Sequence, residues 1–202
     1  MKILIIGGNG TIGKKVSAYL SKKHQVIIGG RNSGDTTVDI ADRKSIEAMF
    51  ASIGNVDAVV CIAGEAKWAD FETLSEEDFY IGLRSKLMGQ VNLVRIGQNF
   101  LNPGGSFTLT TGILADHPVV MTTSAAMVNG AIHSFAKAAT LELKNGIRIN
   151  VVSPGLVEDA VEKYEAYFPG HNPISMRKVV NGYVRSVEGK GTGEIIRMYD
   201  NC

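Results

Sequence analysis

Apolar residues recur along this chain in two alternating rhythms. Short stretches rich in Ile, Val and Thr occupy residues 3–6, 25–29, 36–39, 57–62, 106–110, 146–153 and 194–198, each of strand length. Between them apolar positions return every three or four residues. Residues 11–23 carry Ile12, Val16, Tyr19 and Leu20 at helical spacing, and residues 45–53 present Ile46, Met49, Phe50 and Ile53 on one face. Residues 75–100, 123–144 and 175–187 continue the series. Strands alternating with helices predict linked βαβ units. The fold class is therefore α/β, a doubly wound parallel seven-stranded sheet in a single domain, with strand order 3-2-1-4-5-6-7.

Punctuation supports these limits. Ser75 followed by Asp78 has the spacing of a capping box at the start of the long helix 75–100, and the Asn-Pro-Gly-Gly at 102–105 stops it. Pro154 and Gly155 break the sixth strand. Residues 156–173, rich in Tyr and Glu, then read as a mobile excursion from the domain, with Tyr164, Tyr167 and Phe168 placed to form a lid.

The chain is organised around its first strand–turn–helix, where Gly7, Gly10 and Gly13 stand three apart. Gly7 permits the tight turn, Gly10 lets the backbone approach a pyrophosphate, and Gly13 lets the helix pack on the strand. The free N–H groups around Asn9, Thr11 and Ile12 and the positive end of the helix then face the phosphates. The motif predicts a Rossmann-like dinucleotide site.

Charge adds exclusions. Lys plus Arg number 21 against 20 for Asp plus Glu, so no strong field favours nucleic acid or an anionic membrane. Met1 leads straight into a core strand, which argues against a signal peptide and for a cytoplasmic protein. Cys61 in an apolar run and Cys202 at the last position do not suggest a disulfide, and four scattered histidines suggest no metal site.

Taken together, the glycine turn, the Ala63-Gly64 pair after the fourth strand, and the matches Arg148, Asn150, Pro154 and Gly155 to an Arg-x-Asn-x-x-x-Pro-Gly pattern resemble the short-chain dehydrogenase/reductase family over essentially the whole chain. The middle glycine stands one residue earlier than that family's usual spacing, closer to its extended and atypical branches. The resemblance implies a nicotinamide cofactor held by the turn, by Ala63 and Gly64, and by Pro154 and Gly155. It places Asp39 against the adenine amino group, a helix N-cap being the competing role. Gly30 replaces the acid that would bind an NAD ribose. Arg31, helped by Asn9, Asn32 or Ser33, is suited to a 2′-phosphate, which favours NADP over NAD.

The same resemblance exposes losses. The family's Tyr-x-x-x-Lys falls on Ala125 and Asn129, its serine on Gly112, and its helix asparagine on Lys86. The phenol normally exchanges a proton with the carbinol oxygen while the lysine lowers its pKa. The literal Tyr19 to Lys23 match lies on the first helix, and is read as a core tyrosine and a solvated lysine. The remaining candidates for chemistry are Thr110 and Thr111 at the end of the fifth strand, and Lys86 as a buried amine. His117 reads as a turn residue and His133 as a surface or dimer contact.

The expected function is NADP-dependent hydride transfer to or from a small, activated acceptor, varying little with pH near neutrality. The competing reading is a non-catalytic NADP-binding redox sensor or regulatory module. The Ala-rich helix 123–144 is expected to pair subunits into a homodimer or homotetramer, as its counterpart does in the resembling family.

Overall fold

A computed structural model describes residues 1–199, so Cys202 lies outside the described residues. The strands β1 (Lys2–Ile6), β2 (Gln25–Gly30), β3 (Thr36–Thr37), β4 (Val56–Cys61), β5 (Leu101–Thr110), β6 (Arg148–Pro154) and β7 (Ile195–Met198) pair in parallel in the order β3-β2-β1-β4-β5-β6-β7. Strand periodicity divides the core between the two faces. Leu4, Ile6, Val59, Phe107 and Val151 pack against α2 (Arg43–Ile53), α4 (Gly89–Gly97) and α5 (Thr123–Ala139). Ile3, Ile5, Ala58, Val60 and Val152 pack against α1 (Thr11–Leu20) and α7 (Met176–Glu188). The predicted sheet, its order and the helices on both faces are all present.

Several limits move. The third strand shrinks to two residues, and β5 begins at Leu101 because Val56 pairs with Leu101 before a register shift at Val56/Ala58. The Asn-Pro-Gly-Gly segment therefore lies inside β5, where Asn102 donates to Asp57 at 2.7 Å, and the helix before it ends at Gly97. The helix read over 75–100 is α3 (Glu76–Gly82), a π-helical turn over Leu83–Met88, and α4. Its capping box is formed, with Ser75 and Asp78 each accepting from the other's backbone N–H. The small residues Gly82 and Gly89 bound the wide turn, the first against Ala66 and Val128, the second against Ile40. Helix α5 stops at Ala139 instead of 144, ahead of a loop that turns through positive φ at Asn145 and Gly146.

Tyr19 is a correction. The buried stripe of α1 is Gly13, Val16, Ser17 and Leu20, which leaves Tyr19 38% exposed under Lys22 and not in the core. The excursion 156–173 is made of short helical turns around α6 (Val161–Tyr164) and is fastened at its base by a bridge between Val157 and Ile174. Leu156 and Phe168 bury with Ile113, Leu114, Ala125 and Tyr199 in a third cluster, against which Trp68, Tyr164 and Tyr167 pack.

Candidate active site

Two cavities, of about 280 and 290 Å³, open at the carboxyl ends of the strands, on either side of the first glycine turn. The first lies between Gly7, Arg31, Asp39 and Ala63-Gly64. The second lies between Thr11 and Ile12 on one wall and Pro154 and Gly155 on the other, with Thr111 and Gly112 between them and Trp68, Tyr164 and Phe168 over the opening.

The three glycines of the turn have separable roles. A Cβ on Gly7, which has φ +82°, would lie 2.5 Å from the Ile62 carbonyl oxygen, and one on Gly13 would lie 2.1 Å from the Gly7 carbonyl oxygen. Both are demanded by the fold. A Cβ on Gly10 would meet only the Gly7 oxygen, at 3.4 Å, so packing within the protein does not demand a glycine there. Gly10 caps α1 without a side-chain bond and the first turn has no acidic residue. The N–H groups of Thr11, Ile12 and Gly13 thus point outward with the positive end of the helix dipole, which suits a pyrophosphate.

Arg31 stands at the mouth of the first cavity, where its Nη1 donates to Glu65 at 3.2 Å, and both side chains are more than half exposed. Such a solvated pair is weak and can yield to a phosphate. Asn9 donates to Ser33 at 3.0 Å beside it. A Cβ on Gly30 would lie 2.5 Å from the Ser33 carbonyl oxygen, so the acid that reads an NAD ribose has no room there. Asp39 lines the same cavity and accepts from the Ala41 N–H, while Asp42, not Asp39, caps α2. Gly64 has φ +111°, and its bare Cα lets Lys86 approach, since a Cβ would lie 2.8 Å from the Lys86 Cα. Lys86 is half-buried on the π turn, hydrogen-bonds to no described residue, and is held below the usual amine pKa by burial, with the Cys61 thiol nearby. Burial pushes that thiol up to about 11.

The structure separates the two threonines. Thr110 faces α7, donating to the Cys61 carbonyl at 2.5 Å and meeting the Tyr183 hydroxyl at 2.9 Å, while Gln90 binds its backbone on both sides. It lies outside the second cavity, because side chains alternate along a strand. Thr111 turns the other way, lines the cavity, and shares a 2.9 Å hydrogen bond with Nε2 of His133. His133, expected at the surface, is 8% exposed. It was missed because an isolated histidine on an Ala-rich helix carries no motif. The available signal was its position, one turn beyond Asn129 on the same face as Ala125.

Around Thr111 the residues at 112, 125 and 129 are small or neutral. Ala125 is buried in the third cluster. Asn129 is buried with its Oδ1 unpartnered, and its amide lies beside Gly112, where a Cβ would come 3.8 Å from Nδ2. Burial holds the His133 imidazole below its usual pKa, opposed by the Asp116 carboxylate. Asp116 accepts from Arg197 through both oxygens, at 3.0 and 2.9 Å, and from the Tyr199 hydroxyl, and its carboxyl is held at about 2, chiefly by Arg197. His117 sits outside the cavity, its ring 5.9 Å from Tyr199. Among the described residues no helix is long and apolar enough to cross a membrane, and no cluster of three metal-ligating side chains occurs.

The family model described as enoyl-(acyl carrier protein) reductase matches residues 15–181. The chain superposes on the crystal structure of the protein lin1944 from Listeria innocua with a TM-score of 0.97 and 47% identity, covering 98% of this chain and 100% of that one. A small-chain dehydrogenase solved in complex with NADPH matches at 26% identity and a TM-score of 0.86, over 98% of this chain and 95% of that one. General stress protein 39 of Bacillus subtilis is 25% identical over 75% of this chain and 62% of its own length. An uncharacterized oxidoreductase of Methylorubrum extorquens is 29% identical over 61% of this chain, which spans 50% of that relative's length.

Proposed function

Because the chain belongs to the short-chain dehydrogenase/reductase family, we propose that it is an NADP-dependent oxidoreductase moving hydride to or from a small, activated acceptor without the family's tyrosine–lysine pair. The observation that carries this reading is the adjacency of the two cavities across one glycine turn. The first fits an adenosine bearing a 2′-phosphate at Arg31, with Ser33 and Asn9 alongside and Asp39 toward the adenine. The turn from Gly7 to Gly13 fits the pyrophosphate, and Ala63, Gly64, Pro154 and Gly155 flank the way to the second cavity. The cofactor would supply the hydride there.

Among the described residues no charged side chain lines the second cavity, and its walls are mostly apolar. An uncharged acceptor such as a quinone, flavin ring or conjugated carbonyl suits it, since an electron-poor carbon needs hydride more than it needs acid catalysis. Trp68, Tyr164 and Phe168 offer flat apolar surfaces to such a molecule. The excursion carrying the last two would open and close over it. Thr11, Thr111 and Tyr164 bring hydroxyls to the cavity, Thr111 being the one at the end of β5, and Lys86 lies behind Gly64. The absence of a phenol at Ala125 favours the second reading, an NADP-binding sensor without turnover.

Calorimetry with NADPH and NADH, beside NADPH oxidation against quinones, flavins and conjugated carbonyls, tests both. NADPH should bind more tightly and be oxidised by at least one electron-poor acceptor. Binding without oxidation would favour the sensor, and absence of binding would sink both. We place a homodimer contact on the outer face of α5, where Ala126, Met127, Gly130 and Ala131 are small or exposed. Light scattering at micromolar concentration should return twice the monomer mass, or four times it for a tetramer.

A further inference from the structure

Behind the second cavity lies a titratable group that the family pattern does not assign. The inner face of α5 runs Ala125, Asn129, His133 in four-residue steps, and all three side chains are buried. The first two stand where the tyrosine and lysine would be. The third reaches Thr111, which itself lines the cavity, at 2.9 Å. Next to this pair the buried Asn129 Oδ1 has no hydrogen-bond partner among the described residues, beside the gap that Gly112 leaves in place of a serine. A wall with a hydroxyl, an unused acceptor and an imidazole behind them is arranged for a ligand carrying both oxygen and an exchangeable proton.

We propose that Thr111 and His133 form a relocated proton-transfer pair, Thr111 touching the acceptor oxygen as the catalytic residue and His133 acting through it as the positioning and proton-storing residue. The proposal rests on the oxidoreductase reading. As hydride from NADPH reaches the acceptor carbon, the oxygen of that carbonyl or quinone takes the Thr111 hydroxyl proton. Thr111 recovers a proton from Nε2 of protonated His133, and His133 recovers one from solvent. The sum is acceptor, NADPH and one proton giving reduced acceptor and NADP⁺. In the reverse direction neutral His133 withdraws the proton through the same hydroxyl.

The groups facing His133 set when it carries that proton. Asp116, in the loop after β5, favours the charged form, but its carboxylate is engaged by Arg197 of β7 and by Tyr199. Arg197 and Lys137, the latter one turn further along α5, oppose it together with burial. Neutral His133 is therefore favoured at pH 7. Acceptor reduction should fall as pH rises through the His133 titration, below 6.5, and oxidation should rise over the same range.

The test uses the full chain. His133→Gln keeps a hydrogen-bonding partner for Thr111 but carries no proton, so it should lower kcat about a hundredfold with KM nearly unchanged and should remove the pH limb. Thr111→Val should do the same, Thr111→Ser should retain most activity, and the double variant should be no worse than either single one. NMR titration of the His133 ring in the cofactor-free protein gives a readout without turnover, its midpoint lying below 6.5 and shifting in Thr111→Val. A pH limb that survives in His133→Gln, additive losses, or a midpoint unmoved in Thr111→Val would overturn the pair. A wild type that binds NADPH yet reduces no acceptor would instead overturn the oxidoreductase reading, and the pair with it.

Discussion

The first cavity, beside Arg31, and the second, beside Thr111, are built from different materials. The first depends on backbone: Gly7, Gly13, Gly30 and Gly64 each stand where a Cβ would come within 2.8 Å of another atom. The second depends on which side chains project from a wall that tolerates replacement. Ala125 and Gly112 sit there without overlap, because small residues leave space. Replacements are therefore far less constrained around the second cavity than around the first.

The largest expected effect breaks the first cavity in two distinguishable ways. Gly13→Ala forces a methyl into the Gly7 carbonyl and should cost about 3 kcal/mol of stability in urea unfolding. Gly10→Val should leave a folded domain yet abolish NADPH binding in calorimetry, and an unchanged affinity would sink the phosphate-site assignment. At the second cavity, simple unactivated secondary alcohols should turn over at least about a hundredfold more slowly than electron-poor acceptors, as Ala125 and Asn129 offer neither phenol nor amine. Fast turnover of such an alcohol would show an acid–base group as strong as the missing pair.

A smaller effect tests how the first cavity reads its ligand. Arg31→Ala should weaken NADPH by about 1 to 3 kcal/mol relative to NADH, the range of a charge-assisted hydrogen bond, and equal losses for the two would remove Arg31 from the 2′-phosphate. The smallest concerns the clamp between the loop after β5 and β7. Asp116 is at about 2 in the folded chain against an ordinary 3.8, so its contribution to stability is present above 3.8 and is lost as pH falls toward 2. Because the pair with Arg197 is partly solvated, that contribution is on the order of 1 kcal/mol. The melting-temperature gap between wild type and Asp116→Asn should close between pH 4 and 2, and a constant gap would mean that packing, not charge, holds the clamp.

The same division decides what the sequence made legible. The capping box at Ser75 and the strand–turn–helix around Gly7 follow from local pattern, and the strand order follows from the fold class that alternating strands and helices imply. The π-helical turn over Leu83–Met88 was not, because its residues are ordinary helix formers and only tertiary contacts impose the wider ring. Thr110 and Thr111 look equivalent in sequence, and strand alternation, which sends one to α7 and the other to α5, separates their roles. His133 was invisible for a further reason: its partner is 22 residues away, and no local spacing encodes that meeting.

The π-helical turn also acts as a phase corrector. Gly82 and Gly89 are seven residues apart, and a regular helix would carry them through roughly 700°, pointing both the same way. A turn with one added residue leaves them about 100° short of that, so the two bare faces diverge. One meets Val128 of α5 and the other meets Ile40 beyond β3. Winding 83–88 as a regular α-helix with every residue kept would aim one glycine away from its neighbour and a side chain toward it. The contacts at the two ends are satisfiable together only while the irregularity between them persists, and Lys86 keeps its place against Gly64 as a result.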